Sequence, residues 1–111
     1  MQVSRVKHGD VVVVMLRGPM VADELDLLDV EVRECFEEGL RKMVLDMKEV
    51  PFIDSAGLEK ILDILADFGK RGGDLCVASL NEVCQDIFIA TQLKGLVQVA
   101  ANTEVAVRNL S

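Results

Sequence analysis

Val11-Val12-Val13-Val14-Met15-Leu16 is an unbroken apolar run that opens with four β-branched residues. Such a run favours a β-strand, and a strand without polar residues is typically covered on both faces. Strands of this kind are common in mainly parallel sheets that carry helices on both sides. The run therefore predicts an α/β protein in which this strand lies inside the sheet.

The residues before this run predict a hairpin. Val3 to Lys7 is a second short strand, and His8-Gly9-Asp10 between the two has the composition of a turn. Gly18-Pro19 ends the strand that begins at Val11. His8 is the only histidine. We interpret it as an exposed turn residue, because a catalytic base needs an orienting partner and a nucleophile within reach.

After Gly18 the sequence alternates between helical and strand patterns. The first helix is predicted from about Val21 to Gly39, with apolar residues at three- and four-residue spacing: Val21, Leu25, Leu28, Val32, Cys35 and Phe36. A second helix from Asp54 or Ser55 carries Leu58, Ile61, Leu62, Leu65 and Phe68 on one face. A third runs from Asn81 to Gly95 with Val83, Cys84, Ile87 and Phe88, and a fourth starts at Asn102 or Thr103. Between them lie the strands Met43–Met47, Leu75–Ser79 and Val97–Ala100.

This order predicts a single domain over residues 1–111. Its mostly parallel sheet has about five strands and an N-terminal antiparallel hairpin, and it carries about four helices.

The net charge and the hydropathy of the chain limit the partners and the cellular location that we expect. The net charge of −7 argues against nucleic acid and against an anionic membrane surface as partners. No apolar segment approaches the roughly 20 residues of a membrane span. The N-terminus lacks the apolar core of a signal peptide, so we expect a cytoplasmic protein.

Cys35, Cys76 and Cys84 have no C-x-x-C spacing, and we expect small buried hydrophobic residues rather than a disulfide or a zinc site.

The predicted first helix is strongly acidic. Eight of the chain's nineteen acidic residues fall between positions 23 and 38, where Arg33 is the only cation: Asp23, Glu24, Asp26, Asp29, Glu31, Glu34, Glu37 and Glu38. A solvated face opposite the apolar stripe is one interpretation. A docking surface for a basic partner is the other.

Val50-Pro51-Phe52-Ile53-Asp54-Ser55-Ala56-Gly57-Leu58 leads from a loop into the second helix. Asp54 or Ser55 is placed to cap that helix, Pro51 stiffens the loop, and Phe52-Ile53 is predicted to pack inward. The free N–H groups of a helix start favour added negative charge. Phosphorylation of a serine here would add nearly two negative charges beside Asp54 without unfolding the protein.

The common catalytic and phosphate-binding motifs are absent from the sequence. We therefore expect neither enzymatic activity nor a cofactor. A small enzyme that uses a thiol or Ser55 as nucleophile is disfavoured, because no base is positioned to activate either group.

The segment from Asp46 to Leu58, DMKEVPFIDSAGL, resembles the signature of STAS domains, the family of anti-sigma factor antagonists. The shared pattern is an acid-ended strand, a short loop, an apolar pair and Asp-Ser-x-Gly-Leu. The opening hairpin, Gly18, Gly72-Gly73 and the chain length fit as well. The likeness spans essentially the whole chain, and the central segment is its specific part.

This resemblance implies a partner switch. The unphosphorylated protein would bind an anti-sigma factor that is also a serine kinase of the histidine-kinase-like ATPase type. The kinase would phosphorylate Ser55 and end the interaction, and a metal-dependent serine phosphatase would restore it. ATP would belong to the partner, and the free protein is expected to be a monomer. The residues implied in partner binding are Asp54, Ser55, Ala56, Gly57, Leu58 and Asp23.

The alternative within the family is a structural STAS subunit of a signalling assembly or of a lipid-transport ATPase complex. Three departures from the family pattern bear on partner choice. Ala56 replaces a second hydroxyl, Glu59 stands where glycine is frequent, and Gly18-Pro19-Met20-Val21 replaces Gly-acid-Leu-Asp. Asp23 is the candidate to supply the missing acid.

Overall fold

The structure, a computed structural model, describes residues 1–111 as one five-stranded sheet with four α-helices. The strands are β1 (Gln2–His8), β2 (Val11–Arg17), β3 (Lys42–Glu49), β4 (Asp74–Ala78) and β5 (Gln98–Ala100), and they lie in that order across the sheet. The helices are α1 (Asp26–Glu37), α2 (Ser55–Lys70), α3 (Glu82–Ala90) and α4 (Thr103–Leu110). The β1–β2 pair is antiparallel and every other pair is parallel, which confirms the predicted fold class.

Strand β2 is buried on both faces, as its composition predicts. Val12 and Val14 belong to the larger core cluster, which includes buried residues of α1, α2 and α3. Val11 and Val13 point to the opposite face and belong to a smaller cluster with Ala106 of α4. Three helices therefore cover one face of the sheet, and α4 packs against the other.

Helix α1 begins at Asp26, five residues later than the periodicity predicts. The preceding residues form a loop instead, in which Met20 makes an isolated parallel β-bridge with Ile53. Asp23 adopts a left-handed backbone with φ of 70°. The prediction was wrong here because the backbone of this segment pairs with a loop distant in sequence, and apolar spacing does not report such pairing.

Two predicted core positions also differ. The buried face of α2 consists of Gly57, Ile61, Ile64 and Phe68, so Leu62 lies on the exposed side. On α3, Val83 is exposed as well. The N-caps are as predicted: Asp54, Asn81 and Asn102 each accept a hydrogen bond from a backbone N–H in the first turn of their helix. Helix α3 ends at Ala90, and Gly95 ends a separate 3-10 turn, Leu93–Gly95.

The parallel strands place three loops at one edge of the sheet, which we call the carboxyl edge. They are residues 18–25 after β2, residues 50–54 after β3 and residues 79–81 after β4. The carboxyl ends of parallel strands meet in this way in all open α/β sheets. The predicted Asp-Ser-x-Gly-Leu motif therefore lies where these three loops come together.

Candidate functional site

Asp54 connects two loops of the carboxyl edge. Its Oδ1 accepts a hydrogen bond from the backbone N–H of Gly57 at 2.9 Å, which caps α2. Its Oδ2 accepts one from the N–H of Ala22 at 3.1 Å, in the loop that precedes α1. These two bonds, that from Gly57 first, lower the pKa of the Asp54 carboxyl below its usual value. The carboxylate is therefore held ionised and in a fixed orientation beside Ser55.

The backbones of the same two loops are paired directly. The Met20 N–H donates to the Phe52 carbonyl at 3.1 Å, and the Asp54 N–H donates to the Met20 carbonyl at 3.2 Å. Met20 itself is fully buried. The segment that departs from the family pattern at Pro19 and Val21 thus still packs onto the loop that carries the motif.

Gly57 makes this close packing possible. A Cβ at this position would lie 2.2 Å from the Met20 carbonyl oxygen and 2.6 Å from Cγ2 of Ile53. Neither distance is compatible with a side chain, and one of the atoms is backbone. Glycine is required here because the first turn of α2 lies against the β2–α1 loop, not because of its φ angle.

Ser55 is the first residue of α2, and its side chain is exposed. Its hydroxyl makes no hydrogen bond within the chain. Of the other residues implied in partner binding, Asp23 is also exposed, Ala56 and Leu58 are partly buried, and Gly57 is buried. Ser55 and Asp23 are therefore accessible at the surface, whereas Gly57 is packed against Met20 and Ile53.

The acidic run is partly neutralised within the chain. Asp29 pairs with Lys60 at 2.6 Å, Glu31 lies 3.6 Å from Arg5, and Glu38 also pairs with Arg5. Glu24 pairs with the amino group of Met1 at 2.8 Å. Asp23, Asp26, Glu34 and Glu37 make no ion pair, so about half of the run is free to act on a partner.

Asn81 has a second role that the sequence did not indicate. Its Oδ1 caps α3 by accepting from the Cys84 N–H at 2.8 Å, as predicted. Its Nδ2 donates to the carbonyls of Val50 and Pro51, at 3.1 and 3.2 Å. No local pattern could report this contact, because the two carbonyls lie about thirty residues earlier in the chain and capping already accounts for an asparagine at this position.

Phe52 is exposed, and the prediction that it packs inward with Ile53 was wrong. Ile53 is buried, whereas 47% of Phe52 is accessible to solvent. Adjacent residues in an extended segment point to opposite sides, so only one of the pair can reach the core.

The remaining polar chemistry is sparse. Cys35, Cys76 and Cys84 are buried free thiols, as expected. Burial raises the pKa of all three, which disfavours the reactive thiolate. No group of three or more histidine, cysteine or acidic side chains is arranged to hold a metal ion.

The longest helix, α2, has 16 residues, and none of the helices combines the length and apolarity needed to span a bilayer.

Comparisons with known proteins agree with this architecture. The model of the STAS domain family matches residues 2–106. BtrV of Bordetella bronchiseptica, assigned as an anti-sigma factor antagonist, is 24% identical over 106 residues, which cover 96% of this chain and 91% of BtrV. The anti-sigma F factor antagonist of Paenibacillus polymyxa is 27% identical over 82 residues, 73% of this chain and 70% of the relative.

Solved structures share the fold. The crystal structure of TM1081 from Thermotoga maritima superimposes with a TM-score of 0.91 at 25% identity, covering 97% of this chain and 93% of TM1081. Unphosphorylated SpoIIAA of Bacillus superimposes with a TM-score of 0.75 at 14% identity, over 97% of this chain and 96% of SpoIIAA. The family model matches residues 2–106 of a chain of 111 residues, and the sheet and helices have the arrangement seen in these solved structures. The chain therefore belongs to the STAS domain family.

Proposed function

We propose that this protein is an anti-sigma factor antagonist that works by partner switching. In its unphosphorylated form it binds an anti-sigma factor that is also a serine kinase of the histidine-kinase-like ATPase type. Phosphorylation of Ser55 by that kinase ends the complex, and a metal-dependent serine phosphatase regenerates the binding form. The names of the relatives from Bordetella and Paenibacillus support the antagonist role.

The observation that carries the proposal is the state of the Ser55 side chain. It is exposed at the first position of α2, and its hydroxyl is free of internal hydrogen bonds. A kinase can reach it without opening the fold, and phosphorylation breaks no hydrogen bond within the chain. The first-turn N–H groups and the positive end of the helix dipole accommodate the added charge.

The same phosphate changes the surface that the partner meets. It adds about two negative charges next to the ionised Asp54 carboxylate. A partner surface that fits a neutral hydroxyl there would have to desolvate this charge without a matching cation. Dissociation therefore follows from local electrostatics, while the domain itself stays folded.

We assign the chemistry of the cycle to the partners and none to this chain. The kinase supplies ATP and transfers the phosphoryl group, and the phosphatase removes it. This chain supplies the acceptor Ser55 at the start of α2, directly after the rigid loop of residues 50–54. Asp54 and Gly57 hold that loop against residues 20–22, and Asp23 is exposed in the segment next to it.

Affinity capture from an extract of the source cells tests the proposal. Immobilised wild type, Ser55→Ala and Ser55→Asp are incubated with extract and ADP, and retained proteins are identified by mass spectrometry. Wild type and Ser55→Ala should both retain a kinase of the histidine-kinase-like ATPase type, and Ser55→Asp should not. Retention of a membrane transporter or of a large signalling assembly, equally by all three, would favour the structural-subunit alternative and contradict the proposal.

A further inference from the structure

Phe52 is unlike the other aromatic residues of this chain. Of the four phenylalanines it is the only exposed one, and it lies two residues before the Asp54 cap. An aromatic ring that stays half exposed contributes only part of the stabilising free energy that its full burial on folding would give. Aromatic side chains in that state are enriched at the centres of protein interfaces.

The loop that carries Phe52 is anchored on both sides. On the carboxyl side, the Phe52 carbonyl accepts from the Met20 N–H at 3.1 Å. On the amino side, Asn81 Nδ2 donates to the carbonyls of Val50 and Pro51. Cys84 Sγ also donates to the Val50 carbonyl, at 3.5 Å. The ring is therefore presented from a preorganised segment, and fixing it on binding costs little conformational entropy.

Phe52 also shares its edge of the sheet with Ser55. Ile53 between them is buried and Asp54 is fixed by its hydrogen bonds, so the two exposed side chains are linked by a rigid connection of two residues. A partner that surrounds the Ser55 hydroxyl at this edge would meet the Phe52 ring as well.

We propose that Phe52 is the apolar anchor through which the unphosphorylated protein binds its kinase, and that Asn81 is the positioning residue that presents it. The proposal rests on the proposed function and names the chemistry of the partner surface. That surface needs an apolar pocket beside the site that receives Ser55. Ser55 then controls the complex through charge, and Phe52 supplies apolar contact that salt does not screen.

Titration of the purified kinase retained in the capture experiment tests the anchor. Phe52→Ala should weaken binding about 30-fold or more. Phe52→Leu should weaken it less, and the loss should be similar at low and high salt. Leu96→Ala is the matched control, because Leu96 is 63% exposed but precedes the amino end of β5, at the opposite edge of the sheet. It should bind as wild type does.

A double-mutant cycle tests the positioning role of Asn81. Asn81→Ser replaces the amide with a hydroxyl, which can still cap α3 but is too short to reach the carbonyls of Val50 and Pro51. It should weaken binding about tenfold. If Asn81 acts through Phe52, the double variant Phe52→Ala/Asn81→Ser binds no more weakly than Phe52→Ala alone. Fully additive losses would overturn the positioning role.

The outcomes separate this proposal from the one on which it rests. Equal binding of the kinase by wild type and Phe52→Ala overturns the anchor, and the partner switch survives if Ser55→Asp still fails to bind. Loss of binding in both variants supports both proposals. If the unmodified chain retains no such kinase, the partner switch and the anchor are overturned together.

Discussion

The Asp54 carboxylate accepts a hydrogen bond from the Ala22 N–H at 3.1 Å, across 32 residues of chain. Its other oxygen caps α2 at Gly57. One side chain thus fixes the helix that begins with Ser55 and the loop that contains Asp23. The acid of the motif is in this way a structural connection between the two exposed residues implied in partner binding.

Removing the Asp54 charge should change how stability depends on pH. Because the pKa of Asp54 is lowered in the folded state, the group stabilises the fold above the usual aspartate pKa of about 4, and this contribution is lost as the pH falls through the lower folded value. Asp54→Asn should therefore be less stable than wild type at pH 7, and the difference should shrink toward pH 2.5. Thermal melts across this range measure it. A difference that stays constant with pH would mean that the charge contributes nothing.

Two glycines of the same helix should respond to alanine in opposite directions. Gly57→Ala places a methyl group against the Met20 carbonyl and should destabilise the protein by about 2–3 kcal/mol. Gly69→Ala meets no atom within 4 Å and should stabilise it by up to about 1 kcal/mol, through helix propensity. Urea denaturation of both variants makes the comparison. A stable Gly57→Ala protein would show that the two loops are free to separate.

Ser55 should be the only phosphoacceptor for the kinase. Incubation with kinase and ATP should add one phosphate to wild type and none to Ser55→Ala, as measured by intact mass. Phosphate on Ser4, Ser79 or Thr91 in that variant would contradict the assignment.

Ser55→Asp should fold normally and bind the kinase poorly. A carboxylate at a helix start is compatible with the dipole, so the free energy of unfolding should change by less than about 1 kcal/mol. A fall in melting temperature of tens of degrees would instead identify Ser55 as a structural residue. The weaker binding would then result from loss of the folded state and not from the added charge.

The free part of the acidic run should affect the rate of association more than the rate of dissociation. Asp23, Asp26 and Glu34 make no ion pair within the chain, and charges at the rim of an interface act mainly by long-range steering. Their combined change to Asn, Asn and Gln should slow association with the kinase and flatten its dependence on salt. Surface plasmon resonance across a salt series measures both rates.

Glu104→Gln is the control for this variant, since Glu104 is exposed on α4, on the other face of the sheet. Association at the wild-type rate at every salt concentration would leave the acidic run as a solvated face only.

The amino-acid sequence by itself determined the order of the elements and the location of the motif. The β-branched run at Val11 and the helical spacing from Ile61 to Phe68 are local patterns, and burial of β2 and α2 follows from them. The caps at Asp54 and Asn81 are equally local, because a side chain and an N–H three residues later satisfy each other.

Only the tertiary structure decided how the loops of the carboxyl edge are used. Helix α1 starts at Asp26 because the Met20 backbone pairs with Ile53, and Phe52 turns outward because Ile53 takes the place in the core. Asn81 reaches carbonyls about thirty residues away. Each of these contacts joins segments that are remote in sequence. The residues on the two sides of each contact meet only once the parallel strands have brought the loops together. The periodicity of apolar residues along the chain does not indicate which distant loops will be neighbours.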